Sequence, residues 1–368
     1  MAVESVAVVI CKGEDVLMFA GLIDLLKKLS IPHYIIDISE EKGWFRKGSM
    51  YLSLDYGRPD LSIEFKPSDV GGMRRRLGEF LEGNDVRVVV VHGASLGALL
   101  AASEASSRAI PVVNVDAGLR GCRDAKLRSA ADHLANYNVT SLPSALRNLL
   151  SEGFSQSSVK LVGHPATDAI RRLSSELGKS TILGELGLEE GGYVAGIIHD
   201  PSSIAYVGGI AEKAPEETPL VLSLSKDVEA DLTREGKYVD YQMDYNVMFV
   251  EQLDIVDAVA LIRGSRLVIT DVDYACVAAA MLRKPAVYVG DAYPRPELIS
   301  GGWVKTIDSV GGSLEAWSVE RAASSVLGRG LVSEAIMDVL SEALRSTKRP
   351  SPPEMPRDVA EEYKGWVG

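Results

Sequence analysis

The sequence predicts an α/β protein made of two doubly wound domains, and three observations support this prediction. The chain has 368 residues, whereas a single domain usually has about 100 to 200 residues. Short β-branched segments alternate with longer helical patterns, as is typical of βα units around parallel sheets. This alternation runs through two series of similar size, separated by a stretch rich in Gly, Glu and Leu at 178–192.

The first domain is predicted to span residues 1–170. An apolar segment at 6–10 is its first strand, and apolar residues from Val16 to Leu26 recur at helical spacing, which predicts a helix. The other predicted strands lie at 34–38, 86–91, 111–115 and 159–162, and the other predicted helices lie near 69–82, 95–107, 123–135 and 144–152.

The second domain is predicted to span residues 171–347. Its predicted strands lie at 193–198, 220–224, 247–249, 267–270 and 286–289, and its helices at 203–214, 227–235, 254–264 and 273–283. The proline-rich stretch at 350–353 indicates a linker, and Val359, Tyr363 and Trp366 share one helical face beyond it. Residues 348–368 are therefore predicted to be a linker and a C-terminal helix that crosses back.

The composition argues against several classes of partner and site. The 39 Lys and Arg against 51 Asp and Glu give a net charge of −12, which disfavours binding to nucleic acid or to an anionic membrane. Cys11, Cys122 and Cys276 are far apart and form no CxxC pair, so neither a disulfide framework nor a zinc site is expected. No apolar run reaches the ~20 residues that span a bilayer. We predict a cytoplasmic protein without a metal site.

Common nucleotide-binding and hydrolytic motifs are absent from the sequence. GxGxxG, GxxxxGK and HExxH do not occur. The turn after the first strand, Lys12–Asp15, carries two acidic residues where a phosphate loop would need donors. These absences argue against nicotinamide-dependent, P-loop and zincin chemistry.

Polar residues follow several predicted strands of the first domain, at the sheet edge where ligands of open α/β sheets bind. His92 and Gly93 follow one strand, and Asp116 and Arg120 follow the next. The alternative interpretation of His92 and Gly93 is a tight βα turn. The alternative interpretation of Asp116 and Arg120 is an ion pair that holds a loop together.

The second domain offers a similar set of residues. His199 follows the strand at 193–198, and its alternative interpretation is a histidine packed in a loop. Asp271 and Asp273 follow the strand at 267–270, where capping of the next helix is the preferred interpretation. Arg295 lies between two prolines, which restrict the backbone of its loop.

Several of these motifs occur together in one known family. The strings Val89–Gly93, Ala109–Arg120 and Ala131–Ala135, continued by Leu161–Asp168 and later by Arg295–Glu297, resemble the nonhydrolysing UDP-N-acetylglucosamine 2-epimerase family. The resemblance implies a glycosyltransferase-B-like fold with two Rossmann-like domains. It also implies an isomerase that interconverts UDP-GlcNAc and UDP-ManNAc, or a related nucleotide sugar, by elimination and re-addition of UDP.

The resemblance assigns roles to individual residues. Its implied catalytic residues are Asp116, Asp124 and His199, with His199 at the nucleotide, and its implied substrate-binding residues are His92, Gly93, Arg120, Arg295 and Glu297. A UDP-linked sugar is expected in the cleft between the domains, where His92, Asp116, Asp124, His199 and Arg295 would gather. The family implies no cofactor and a homodimer.

The sequence also departs from the family pattern. Ala94 replaces a carboxylate after His92-Gly93, Gly13 replaces an arginine of the first turn, and Met18 replaces a lysine. In the second domain Val272 and Asp273 replace a small turn, and Ala278 replaces a glutamate. These losses leave an alternative open, namely a catalytically inactive relative retained as a binding or assembly module. A glycosyltransferase of the same fold is a third hypothesis without a distinguishing motif.

Overall fold

The computed structural model divides the chain into two compact units. One unit combines Met1–Ala169 with Leu327–Gly368, and the other is Ile170–Val326. The described residues are 5–39, 58–173, 177–203, 206, 209, 218–244, 246–290, 292–307, 327, 328, 330–346 and 349–367.

The first unit contains a parallel sheet flanked by helices. Its leading elements are, in chain order, β1 (Ser5–Ile10), α1 (Gly13–Lys28), β2 (His33–Ser39), β3 (Leu61–Glu64), α2 (Val70–Gly83), β4 (Val86–His92), α3 (Leu96–Ser107), β5 (Val112–Val115), α4 (Ala125–Leu134), β6 (Tyr137–Thr140), α5 (Pro143–Ser151), β7 (Val159–Leu161) and α6 (Ala166–Leu173). The strand order is β3-β2-β1-β4-β5-β6-β7. The chain thus builds the sheet in one direction from β1 and in the other from β4.

The second unit has its own parallel sheet. Its elements are α7 (Ile182–Glu185), β8 (Val194–Ile198), β9 (Leu220–Leu224), α8 (Lys226–Arg234), α9 (Lys237–Asp244), β10 (Val247–Val250), α10 (Ile255–Gly264), β11 (Leu267–Thr270), α11 (Asp273–Met281), β12 (Ala286–Tyr288), α12 (Pro296–Ser300) and β13 (Val304–Thr306). The strand order is β10-β9-β8-β11-β12-β13, so the direction of growth reverses between β8 and β11.

Two further helices return to the first unit, α13 (Val332–Arg345) and α14 (Arg357–Val367). Gly21 of α1 leaves no room for a Cβ against Ser333 of α13, so these two helices approach closely. Val359 of α14 belongs to the core of the first unit, and Tyr363 and Trp366 pack against that core, as their shared helical face predicts.

Hydrophobic burial explains why these sheets form. Val88 to Val91 of β4 are at most 1% exposed, and Leu220 to Leu222 of β9 are similarly buried. Continuous apolar strands of this kind are covered by helices on both faces, as in parallel sheets. No helix in the described part of the chain is long and apolar enough to cross a membrane.

The structure contains every predicted strand, and it corrects the predicted extent of the second domain. That domain was expected to reach residue 347, but α13 lies with the first unit because it packs on α1 and its Ser333 donates to Asp168. Strands β3, β6 and β13 were not predicted. The predicted helix at 203–214 lies largely outside the described residues.

Candidate functional site

The polar residues of the first unit collect where four neighbouring strands end. Strands β1, β4, β5 and β6 lie side by side in parallel register. Asp15 follows β1, His92 ends β4, Asp116 follows β5 and Ser141 follows β6. The reversal of strand order between β1 and β4 is the position where open α/β sheets bind their ligands.

Asp15 connects the first turn to His92. Its Oδ2 accepts hydrogen bonds from the backbone N–H groups of Cys11 and Lys12, at 2.7 and 2.9 Å. Its Oδ1 lies 2.7 Å from Nδ1 of His92, and both side chains are buried. The turn that is unsuited to phosphate therefore serves as a support for a histidine.

Asp116 is held in a specific orientation at the end of β5. Its backbone adopts φ 58°, a left-handed conformation that aspartate tolerates better than most residues and that is often found at functional sites. Ser141 donates its hydroxyl hydrogen to Asp116 Oδ1. The other oxygen, Oδ2, lies 3.8 Å from His92 Nε2.

One buried guanidinium links the two predicted catalytic carboxylates. Arg128 Nε donates to Asp124 Oδ2 at 3.1 Å, and its Nη1 lies 4.0 Å from Asp116 Oδ2. Burial would raise the pKa of Asp124, but the Arg128 charge and a hydrogen bond from Cys122 outweigh burial and lower the pKa below its ordinary value. The structure thus brings together His92, Asp116 and Asp124 of the predicted set.

Arg120 has a different set of partners from the one considered in the sequence. It donates through Nε and Nη2 to the carboxylate of Glu152, at 2.8 and 2.6 Å, and through Nη1 to Asp132, at 2.8 Å. Asp132 is completely buried and also accepts from the Gly118 N–H. The guanidinium therefore holds this loop to α4 and to the residue that ends α5, although its partner is not Asp116.

Gly93 is required by packing. A Cβ at this position would lie 2.5 Å from the Ala131 side chain and 2.9 Å from Asn114 Oδ1. The Gly93 N–H donates to that same Asn114 oxygen at 2.9 Å. These contacts explain the glycine without a ligand, so its predicted role in substrate binding stays a prediction.

The first unit also contains a group that could hold a cation. Glu14, Asp15 and His92 each offer one ligand atom, and these atoms lie within 4.8 Å of one another. Both oxygens of Asp15 already accept hydrogen bonds, and the short contact to His92 Nδ1 is that of an ion pair. The donor set is therefore better suited to holding a proton than a metal ion.

In the second unit, Asp271 follows β11 and links it to the backbone that follows β8, where the strand order reverses. Its two oxygens accept from the backbone N–H groups of His199 and Asp200, at 2.9 and 2.8 Å. Burial raises the pKa of Asp271 to about 6, although these two donors act in the opposite direction. The His199 ring lies beside Tyr274, with centroids 6.5 Å apart.

Arg295 is buried and paired with Asp273. Its Nε lies 2.9 Å from both oxygens of Asp273, and its Nη2 lies 2.5 Å from Oδ2. Arg295 is 1% exposed, whereas the Asp273 side chain is 20% exposed. Glu297 lies in the first turn of α12 and is partly buried.

Three positions where the sequence departs from the family pattern are filled by buried apolar side chains. Met18 in α1, Ala94 after β4 and Ala278 in α11 are each at most 5% exposed. The residues that sequence reasoning missed are Asp15, Arg128 and Ser141. Asp15 and Ser141 also follow strands, so the strand-end rule applied to every strand would have found them.

A family model described as UDP-N-acetylglucosamine 2-epimerase matches residues 68–341. The probable UDP-N-acetylglucosamine 2-epimerase of Ralstonia nicotianae is 27% identical over 256 residues, which are 62% of this chain and 65% of that protein. The Salmonella typhimurium enzyme is 24% identical over 244 residues, 60% of this chain and 63% of that protein. These matches span just under two thirds of each relative.

Solved structures share the fold. The Methanocaldococcus jannaschii UDP-GlcNAc 2-epimerase, in complex with UDP-GlcNAc and UDP, has a TM-score of 0.81 at 19% identity and covers 92% of this chain and 99% of its own. S. aureus MnaA with UDP has a TM-score of 0.80 at 19% identity, covering 95% and 100%. This likeness confirms the predicted α/β fold with two Rossmann-like, glycosyltransferase-B-like domains. Because the family model matches most of the sequence, the chain belongs to the UDP-N-acetylglucosamine 2-epimerase family.

Proposed function

We propose that this protein is an isomerase that interconverts UDP-GlcNAc and UDP-ManNAc, or a closely related pair of nucleotide sugars. Family membership supports the substrate class. The observation that carries the proposal is the arrangement of Asp116 and Asp124 around one buried guanidinium, that of Arg128. A pair of carboxylates of this kind is suited to general acid–base chemistry without a metal.

The proposed reaction inverts the configuration at C2 of the sugar. One carboxylate removes the proton from C2, the C1–O bond to UDP breaks, and a C1=C2 double bond forms. In the return step UDP adds back to C1. The carboxylate on the opposite face of C2, after taking a proton from water, delivers that proton to C2, and the first carboxyl group releases its proton to water. Inversion needs groups on both faces, so Asp116 and Asp124 are assigned as the two acid–base residues.

The charges around these carboxylates support ionised starting states. Arg128 lies beside both of them, and the lowered pKa of Asp124 keeps that carboxyl group ionised at neutral pH. Ala94 takes the place of a further carboxylate, so we expect slower turnover than in a fully equipped family member. One preorganised charged group commonly contributes ~10² to 10³ in rate.

The nucleotide is assigned to residues of the second unit, namely His199, Arg295 and Glu297. Asp273 already neutralises Arg295, so a phosphate of UDP would share a guanidinium that has an internal partner. Gathering of these residues with Asp116 and Asp124 around one ligand stays a prediction. We further propose that the protein works as a cytoplasmic homodimer without a cofactor, and light scattering in buffer containing EDTA tests the dimer.

Deuterium incorporation at C2 tests the proposed reaction. The wild-type protein is incubated with UDP-GlcNAc in D₂O, and exchange is followed by proton NMR together with the appearance of the second epimer. Asp116→Asn and Asp124→Asn should each slow the exchange by ~10² to 10⁴, the usual contribution of an acid–base residue. Asp69→Asn is the matched control, because Asp69 caps α2 by accepting from the Gly72 N–H.

Thermal shift with UDP and UDP-GlcNAc separates the remaining alternatives. Ligand that binds the native state raises the melting temperature by mass action. Binding without exchange would favour the catalytically inactive binding module. If the protein shows no binding of these ligands and no exchange at C2, the proposed substrate class is wrong.

A further inference from the structure

His92 lies between two buried carboxylates at the switch point of the first sheet. Its Nδ1 is 2.7 Å from Asp15 Oδ1, and its Nε2 is 3.8 Å from Asp116 Oδ2. The side chains of His92, Asp15 and Asp116 are 4%, 2% and 1% exposed. Among the described residues, His92 Nε2 has no hydrogen-bond partner. Burying a polar nitrogen without a hydrogen-bond partner costs free energy unless neighbouring charges stabilise it.

The neighbours decide where the protons are. An ionised carboxylate only accepts hydrogen bonds, so His92 Nδ1 carries a proton that it donates to Asp15. An unprotonated Nε2 would direct its lone pair toward the Asp116 carboxylate in a dry interior, which is repulsive. A proton on Nε2 instead places a positive ring between two negative groups. The geometry therefore favours an imidazolium.

The orientation of Asp116 depends on the same arrangement. Ser141 donates to Oδ1, which fixes one oxygen of the carboxylate. The other oxygen is directed toward two cations, His92 at 3.8 Å and Arg128 at 4.0 Å. Loss of the His92 charge would remove one of the two cations that keep this carboxylate ionised.

We infer that His92 is a positioning residue for Asp116: anchored by Asp15 and positively charged, it holds the Asp116 carboxylate ionised and directed for proton transfer. This inference rests on the proposed function, since it builds on the acid–base role given to Asp116. Asp15 and His92 lie at the ends of adjacent strands, β1 and β4, so the sheet itself places Asp15 beside His92.

Other charged groups face this arrangement from several elements. Glu14 of α1 is within 4.8 Å of Asp15 and His92, and His164, which follows β7, is within 4.8 Å of Asp116. Arg128 approaches from α4. Burial alone would lower the pKa of His92, but the interactions with Asp116 and Asp15 outweigh burial and raise the pKa to about 9. The neighbouring carboxylates thus outweigh burial in setting the pKa of His92.

NMR titration of the histidine rings tests the inference without relying on activity. The chain has five histidines, and His92→Gln identifies the His92 signal. We expect His92 to titrate near pH 9 in the wild-type protein. Asp116→Asn and Asp15→Asn should each lower that midpoint by about one unit or more, as expected for loss of a neighbouring charge. Asp69→Asn should leave it unchanged. A wild-type midpoint at or below the ordinary value, or one that neither variant moves, overturns the inference.

The pH profile of C2 exchange separates positioning from a structural role. His92→Gln should lower kcat by about 10²-fold with little change in KM, and should move the acidic limb upward because Asp116 loses a cation. Asp15→Asn should move the alkaline limb downward. Lower activity with an unchanged profile would overturn the inference. If the wild-type protein shows no exchange, the proposed function fails, and the NMR titration alone decides whether His92 and Asp116 share charge.

Discussion

Asp273 and Arg295 form a bidentate ion pair in which the arginine is almost completely buried. Both carboxylate oxygens accept from Arg295 Nε at 2.9 Å, and Arg295 is 1% exposed. The family resemblance implied a substrate-binding role for Arg295, and that role stays a prediction. Asp273 is a partner supplied by the chain, at the N-terminus of α11 where a negative charge is favourable.

This pair should couple strongly in a double-mutant cycle. Removing one partner of a buried ion pair leaves an uncompensated charge and commonly costs ~3 to 5 kcal/mol, so Arg295→Ala is expected to destabilise the protein and not only to affect ligands. Asp273→Ala, Arg295→Met and the double variant should show a coupling of ~1 to 3 kcal/mol in the free energy of unfolding, measured in urea. Additive effects would show that the pair contributes nothing beyond its separate residues.

Asp271 should make stability depend on pH in the acidic range. Its pKa is raised to about 6 from 3.8, so the folded state binds a proton more tightly than the unfolded state does. Its contribution to stability is therefore greatest below pH 3.8 and is lost as pH rises to 6, by on the order of 2 to 3 kcal/mol.

Urea unfolding between pH 4 and 7 measures this contribution. Asp271→Asn keeps one acceptor for the N–H groups of His199 and Asp200 but cannot ionise, so its stability should change less across the range. Parallel curves for the wild type and this variant would contradict the assignment to Asp271.

Arg120 should matter for stability more than for ligand affinity. Arg120→Ala would leave Asp132 as a buried carboxylate without its cation, at a cost of ~3 to 5 kcal/mol. Glu152→Ala should cost less, because the Glu152 side chain is 27% exposed and water can replace the contact. Urea midpoints give the stabilities, and calorimetric titration with UDP gives the affinities. A stable Arg120→Ala variant that has lost UDP binding would restore the predicted substrate contact.

Gly93→Ala should lower stability by ~1 to 3 kcal/mol, the usual cost of overpacking, because the new methyl group meets Ala131 and Asn114. Gly71→Ala in the first turn of α2 is a matched control, since nothing lies within 4 Å of a Cβ there. The control should unfold at the same denaturant concentration as the wild type or slightly above it. Equal stability of the two variants would mean that the loop at Gly93 adapts.

The sequence predicted most of the fold because long buried strands and helical periods are local signals. Strand β6 was missed because its four residues include Asn138, which is unusual in a buried strand and here donates to the Asp132 carbonyl. Helix α13 was missed although Val332, Ile336, Val339 and Leu340 follow helical spacing and are buried. Its place in the first unit depends on contacts with α1, which no local pattern specifies.

The site was less predictable than the fold, for a physical reason. Resemblance gave Asp116 and Asp124, but the contacts of His92 with Asp15 and of Arg128 with Asp116 form only because strands β1, β4 and β5 are adjacent. The pairing of Arg295 likewise joins residues that are distant along the chain. Which charges meet is set by strand order, and strand order is not a property of any one segment.

The discontinuity of the first unit has a consequence for biosynthesis. Its sheet is encoded before residue 170, whereas α13 and α14 are encoded after the second unit. Because a chain leaves the ribosome from its N-terminus, the second unit emerges whole while the first still lacks two helices. The surface that α13 and α14 later cover, including Gly21 and Ser103, stays open to water throughout that interval. Folding of the nascent chain is therefore expected to finish with the first unit, after α13 and α14 have emerged.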